Sequence, residues 1–305
     1  MEIVVIGTAF MDIKGFPGGT FVPGCCNAGR VEYVHGGVAR NVAEDLAHLG
    51  AEVTYLGIVD NSPVGDSVIR HLQQQGINTE YVLTRPDGMG AWMAVFNERG
   101  NLAASVSRQP DMLPLAEVLS DRGDEIFSKA DSTVMEADLP REVVEKAAEL
   151  AGKFHIPLIA ALSNMAGVME HKDMLRRFDC VICNRREADI LFDSNDGEKD
   201  RKKQTEQLSR EIRRCGIPAM IVTLGEDGAV YASQSGETGF CPARPAAAVD
   251  VTGAGDSFCA GVAAGLTCHK SLKAAVEIGT RLAAETVASF SNVCPPTDPR
   301  KLGLQ

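Results

Sequence analysis

Short apolar runs recur along this 305-residue chain at Ile3 to Ile6, Val53 to Ile58, Ser132 to Met135, Leu158 to Ala161, Cys180 to Cys183 and Met220 to Thr223, with helical patterns between them. Runs of this kind fit strands covered on both faces, and their alternation with amphipathic helices places them in a mostly parallel sheet with helices on each side. The expected fold class is therefore α/β. Val38 to Leu49 shows the helical period most clearly: Val38, Val42, Leu46 and Leu49 share one side, and Gly50 supplies the stop. Further helices are expected over about 142–152 and 204–215, after Gly255 and after Leu272. A composition of 45% hydrophobic and 23% charged residues furnishes a large core and excludes a disordered chain.

Two stretches break the rhythm. Phe16 to Tyr33 is rich in Gly and Pro, and Tyr81 to Ser107 reads as strands, Ala91 to Phe96 and Leu102 to Val106, around a turn at Asn97 to Asn101. They predict a small antiparallel lid, formed by about 14–34 and 80–107, inserted into a single α/β domain covering 1–305. A hairpin that serves only dimer contacts is the alternative, because lids and interfaces share exposed apolar strands. The charged stretch Asp196 to Lys203 reads as a solvated loop and helix start.

The balance of 30 basic against 41 acidic side chains, a net charge of -11, repels phosphate backbones and anionic lipid heads, so nucleic acid and membrane are not expected partners. The opening run from Met1 to Gly7 is too short for a secretory segment, and no apolar run approaches the roughly 20 residues of a membrane span. Nine cysteines at irregular spacing suit free thiols in a reducing compartment, and a cytoplasmic location is expected. Cys180 and Cys183 form a C-x2-C, but on a strand positions three apart point to opposite faces and cannot share a metal.

The chemistry concentrates in Val249 to Phe258. Gly253 and Gly255 flank Ala254 just before an apolar helix carrying Phe258, Val262 and Leu266, so successive N–H groups can converge on an anion. Asp256 there is either a helix cap or a base taking a hydroxyl proton beside a phosphoryl group. No Walker A sequence is present: Gly152-Lys153 lacks the upstream glycine and the following Ser or Thr. Gly7 to Asp12 is a broken dinucleotide fingerprint, which leaves an NAD-linked oxidoreductase as a remote alternative.

Two separated segments, Gly36-Gly37-Val38-Ala39-Arg40-Asn41 and Asp250-Val251-Thr252-Gly253-Ala254-Gly255-Asp256, enclose Asn184-Arg185-Arg186-Glu187 and Thr223-Leu224-Gly225-Glu226-Asp227-Gly228. In this order they resemble the PfkB, or ribokinase-like, carbohydrate kinases, from about Ile3 to Pro295. The resemblance implies a three-layer α/β/α fold with a small β lid, and an ATP-dependent kinase acting on a hydroxyl of a small sugar or nucleoside. It implies that Asp256 removes the acceptor proton while the amides of Gly253, Ala254 and Gly255 receive the charge growing on the transferred group. Asn184 and Glu187 match an N-x-x-E element beside the cofactor that organises Mg2+ through its waters. Thr223, Gly225 and Gly228 match the strand and turn next to the nucleotide, and Asp250 matches a monovalent-cation (K+) site completed by carbonyls in 289–293.

On the same resemblance Asp12, Gly36, Gly37 and Asn41 contact the acceptor, since a short carboxylate and an amide can each engage vicinal hydroxyls. The residues alone leave Asp12 open as a turn former, Asn41 and the Asn184–Glu187 pair as helix caps, and Arg40 as a surface ion-pair partner. Ile6 to Phe16 and the Gly37 to Asn41 variant are most similar to pseudouridine kinases, which implies phosphorylation of a ribose 5′-hydroxyl. Ribokinase or another sugar kinase is the near alternative, and a non-catalytic nucleoside or sugar sensor the alternative of another class. Trp92, Met93, Phe96 and Ser105 are the lid's candidates for facing a base, although alternation does not say which face looks inward. Exposed lid strands predict a homodimer through the lid. Ala160-Ala161-Leu162-Ser163-Asn164 departs from the family, which often carries an acidic residue there.

Overall fold

The computed structural model describes residues 1–194 and 200–304. The strands are β1 (Glu2–Ile6), β2 (Phe10–Pro17), β3 (Gly29–Gly36), β4 (Glu52–Leu56), β5 (Ile58–Asp60), β6 (Leu83–Arg85) and β7 (Gly90–Phe96). They continue with β8 (Leu102–Arg108), β9 (Ser132–Glu136), β10 (Leu158–Ala161), β11 (Cys180–Asn184), β12 (Ala219–Thr223), β13 (Ala229–Ser233) and β14 (Thr238–Cys241). The α-helices are α1 (Val38–His48), α2 (Pro63–Gln74), α3 (Leu115–Phe127), α4 (Arg141–Phe154) and α5 (Met165–Glu170). After them come α6 (Arg185–Phe192), α7 (Arg201–Cys215), α8 (Ala254–Thr267) and α9 (Leu272–Val287).

An eight-stranded sheet runs β14-β13-β12-β11-β10-β9-β1-β4, parallel except where β13 and β14 turn back. Alternate residues of each strand feed different cores. Ile3 and Val5 pack with α1, α2, α8 and α9, whereas Val4 and Ile6 pack with α3, α4, α6 and α7. That is the three-layer α/β/α architecture, and it explains why the strand sequences are apolar throughout. Cys180 and Cys183 fall in opposite cores, as strand alternation requires. Helix α8 is buried along nearly its whole length between the sheet and α9, so its sequence lacks an amphipathic stripe.

The expected run Val53 to Ile58 divides at Gly57 into β4 and β5, and β5 pairs with β6 rather than with the main sheet. The small sheet has four strands in the order β3-β2-β7-β8, and its central pair, β2 with β7, is parallel, not antiparallel. It begins at Phe10, earlier than 14, and does not include the stretch before Gly90. Helices α2 and α3 were not expected; Ser62 caps α2 through Gly65 N–H with Pro63 in the first turn, a start signal embedded in a polar context. Of the charged stretch Asp196 to Lys203, residues 196–199 lie outside the described residues, and α7 begins behind an Asp200 cap. Among the described residues, no helix is long and apolar enough to cross a membrane.

Candidate active site

Strand β1 lies between β4, which follows it through α1, and β9, reached from the other direction, so the sheet changes winding sense beside β1. Ligand crevices form at such switch points, at the carboxyl ends of the strands. Here those ends deliver Thr8 after β1, Asp138 after β9, Ser163 and Asn164 after β10, Asn184 at the end of β11 and Thr223 at the end of β12. Buried Glu136 braces the crevice: its Oε1 accepts from Thr8 N and Ala39 N, both at 2.9 Å, and pins the turn after β1 to the start of α1. At the head of α1, Gly37 has φ 97°, and a Cβ there would sit 2.5 Å from Thr8 O.

Asp256 lies in the first turn of α8. Its Oδ2 accepts from Asn41 Nδ2 at 2.5 Å. The Oδ1 of Asn41 in turn accepts from Asn292 Nδ2 at 3.1 Å and from Arg40. With two donors on its oxygen, Asn41 must present its amide nitrogen to the carboxylate. Poor access to water pushes the Asp256 carboxyl up to about 7; the Asn41 bond opposes that rise and nearby Asp45 adds to it. Arg40 is not the surface ion-pair partner considered above. It is 2% exposed, donates to His35 O at 2.5 Å and pairs with Glu44 one turn along α1.

A fully buried tie locks the same region. Asp45 accepts from Ser257 Oγ at 2.9 Å and from Cys294 N at 2.6 Å, joining α1, α8 and the segment after α9. Gly253 makes the turn into α8 with φ 79°, and a Cβ there would fall 1.9 Å from Asn292 O. The amide of Ala254 bonds back to Val251 O at 3.3 Å. Among the described residues, the amides of Gly253, Gly255 and Asp256 have no such partner, so of the expected trio Gly253 and Gly255 keep a free N–H while that of Ala254 is engaged.

Two clefts meet at this turn. One, about 670 Å3, has Asp12, Gly37, Asn41, Trp92, Thr252 and Asp256 in its wall. The other, about 580 Å3, is lined by Thr223, Gly225, Gly228, Ala254 and Gly255 together with apolar side chains such as Val287. Gly36 stands behind the first cleft, where a Cβ would lie 2.4 Å from Asp12 Oδ2. Burial raises the Asp12 carboxyl to about 6 against the pull of Lys14 and Arg40. Trp92 shares the inner face of the small sheet with Asp12, and Phe96 packs edge-on to it; Met93 points the other way and is exposed.

Asn184 and Glu187 form a reciprocal cap, Glu187 N to Asn184 Oδ1 at 3.0 Å and Asn184 N to Glu187 Oε2 at 2.8 Å, and both face the first cleft rather than the second. Burial raises the Glu187 carboxyl, and Asp138 adds to the rise. Glu187 makes no ion pair among the described residues, and a cleft-wall carboxylate with one oxygen left over from the cap fits a hydrated divalent cation. In the segment where a family acid is missing near Ala161, Ser163 donates to Asp138 Oδ1 at 3.0 Å, so a carboxylate from the end of the neighbouring strand reaches that segment. Asp250 has both oxygens engaged: Thr252 N donates to Oδ1 at 2.9 Å and Lys14 Nζ lies 3.6 Å from Oδ2. A monovalent cation at Asp250 would share those oxygens.

Lys14, Glu136, Asp138 and Asn292 escaped sequence reasoning. Lys14 carried a signal in its two-residue spacing from Asp12 on a strand, and Glu136 in ending a buried run; Asn292, in an irregular segment, carried none.

An acid standing between a glycine-walled cleft and a cleft lined by Asp12 and Asn41 has the layout of a phosphotransferase with an alcohol group as acceptor. The chain belongs to the pfkB family of carbohydrate kinases, whose family model matches residues 1–297. It is 34% identical over 297 residues to a guanosine-inosine kinase of Exiguobacterium acetylicum, covering 97% of each chain. To a pseudouridine kinase of Escherichia coli it is 25% identical over 264 residues, 86% of this chain and 82% of the other. A solved ribokinase of Arabidopsis thaliana, complexed with ribose and ATP, superposes with TM-score 0.82 at 20% identity, covering 98% of this chain and 97% of the other. The chain is therefore a sugar or nucleoside kinase with the ribokinase-like fold.

Proposed function

We propose that this kinase phosphorylates the ribose 5′-hydroxyl of a purine nucleoside, guanosine or inosine before pseudouridine, with ATP as donor. The observation that carries the reading is the place of Asp256, on the floor between the two clefts with Asn41 holding its carboxylate. Asp256 takes the proton of the acceptor hydroxyl as its oxygen bonds to the terminal phosphorus and the bond to the leaving diphosphate breaks. The unpaired amides at the start of α8 receive the charge that develops on the transferred oxygens. Thr223, Gly225 and Gly228 suit close approach by the nucleotide, and Asn184 and Glu187 would hold Mg2+ through its waters. When bound, that ion supplies positive charge to the phosphate oxygens.

The preference for a purine rests on the 34% identity to a guanosine-inosine kinase over the 25% to a pseudouridine kinase. A recess of about 480 Å3 adjoins the acceptor cleft, shares Thr8, Gln109 and Asn164 with it, and carries Asp138 and Arg141. A base extending into it would meet the Asp138 carboxyl, which can accept from the N1–H that guanine and hypoxanthine have in common. The small sheet is read as a lid over this cleft, and its outer face as a homodimer surface: Tyr33, Ile13, Met93 and Val106 lie in one cross-strand row, with Tyr33 and Val106 70% and 73% exposed. Nine free cysteines accord with a cytoplasmic setting. The test is ADP release from ATP with guanosine, inosine, pseudouridine and ribose in turn. Acceptor-dependent release with guanosine or inosine is expected, and none with any member of the panel overturns the proposal.

A further inference from the structure

Lys14 is buried in an unusual place for a lysine. Its side chain is 5% exposed, on the inner face of β2 two residues beyond Asp12, and it reaches across to the turn before α8. There Nζ donates to Thr252 Oγ1 at 3.3 Å and faces Asp250 Oδ2 at 3.6 Å, while Asp250 Oδ1 accepts from Thr252 N. Ammonium, carboxylate and turn thus form a closed circuit between the small sheet and the residues that lead directly into Gly253. An ammonium is expensive to withdraw from water, and an apolar side chain of similar length would fill the same space, so stability alone does not account for a lysine here. Lys14 is not in the wall of either cleft; its charge acts on Asp12 across the face of β2, and its direct contacts run to Asp250 and Thr252.

We propose that Lys14 is a positioning residue that couples the lid to the anion-binding turn, so that a triphosphate seated on the α8 amides and the lid's placement over the acceptor bias each other through the Lys14–Asp250–Thr252 linkage. The inference rests on the kinase reading only in that the turn binds phosphate. Such coupling is reciprocal: whatever the filled turn does for the lid, the closed lid does for nucleotide affinity.

Trp92 is the single tryptophan of the chain and sits on the inner face of β7, against Asp12 of β2, so its emission reports the lid directly. The experiment titrates a non-hydrolysable ATP analogue with Mg2+ into wild type, K14M, K14R and D250N, following Trp92 emission and, separately, binding heat. Wild type binds and shifts its emission; K14M and D250N stay folded by circular dichroism and bind, but lose the shift; K14R keeps most of it. The double variant K14M/D250N falls no further than either single one, as expected of two ends of one linkage. With guanosine present, wild-type affinity for the analogue changes by at least about fivefold, and in K14M by a factor near one. Analogue binding with an unmoved Trp92 in wild type, or an undiminished shift in K14M, overturns the coupling while leaving the kinase reading intact. A wild type that does not bind the analogue overturns both.

Discussion

Replacing Asn41 by Leu removes the one side-chain donor that Asp256 has among the described residues, and the consequence that identifies this role is a displaced pH profile. The carboxyl of Asp256 stands at about 7, held up by burial and drawn down by the Asn41 bond. A hydrogen bond to a charged group contributes about 1.5–3 kcal/mol, and 1.36 kcal/mol corresponds to one pH unit, so losing it lifts the carboxyl by about one to two units. Because the base must be ionised, kcat/KM climbs with pH below the carboxyl's value and levels above it. The acid limb near 7 in wild type therefore moves to between about 8 and 9 in N41L, and at pH 7 this displacement alone lowers the rate about 5- to 50-fold, beyond any fall in the alkaline plateau from losing a wall residue of the acceptor cleft. Initial rates of ADP release across about pH 5.5 to 9.5 measure this directly. N292A, which removes one of the donors holding Asn41, should shift the limb the same way by less. An acid limb that stays at its wild-type position in N41L refutes the role assigned to Asn41.

G253A drives a Cβ into Asn292 O and imposes φ 79° on a residue with a side chain; it should cost about 100-fold in kcat through a displaced set of amide donors, and a lowered melting temperature should accompany it. Asp45, fully buried and pushed up to about 7, binds a proton in the folded state that it releases when unfolded. Its stabilising contribution is complete below the ordinary value near 3.8 and is lost as pH rises through 7, so between about pH 5 and 8 the melting temperature of D45N should fall less than that of wild type. Chelation of divalent cations should abolish ADP release, with Mg2+ restoring it, and E187Q should need a higher Mg2+ concentration for half-maximal rate without a change in melting temperature.

The parallel sheet was legible because strands buried on both faces leave unbroken apolar runs, and both signature turns were legible because only particular residues permit such close backbone approach. Lid geometry was not. Alternation in β2 and β7 reveals two faces but neither the parallel pairing of the two strands nor that Trp92 looks inward and Met93 outward. Within the site, side chains that touch the cleft announced themselves, as with Asp12 and Asp256. The residues that hold those side chains did not, because their partners lie far away in sequence: Asn292 reaches Asn41 across 251 positions, and Glu136 reaches Thr8 across 128. Arg40 shows the same limit from the other side, since an arginine next to a motif carries no mark of being almost wholly enclosed.

Turnover by D256N is the direct measure of whether a hydroxyl is deprotonated by that carboxylate. With guanosine and ATP at saturation, kcat should drop by about 100- to 10,000-fold while calorimetric affinities for both ligands stay within a few-fold of wild type. A D256N enzyme that phosphorylates its acceptor at the wild-type rate would contradict the account.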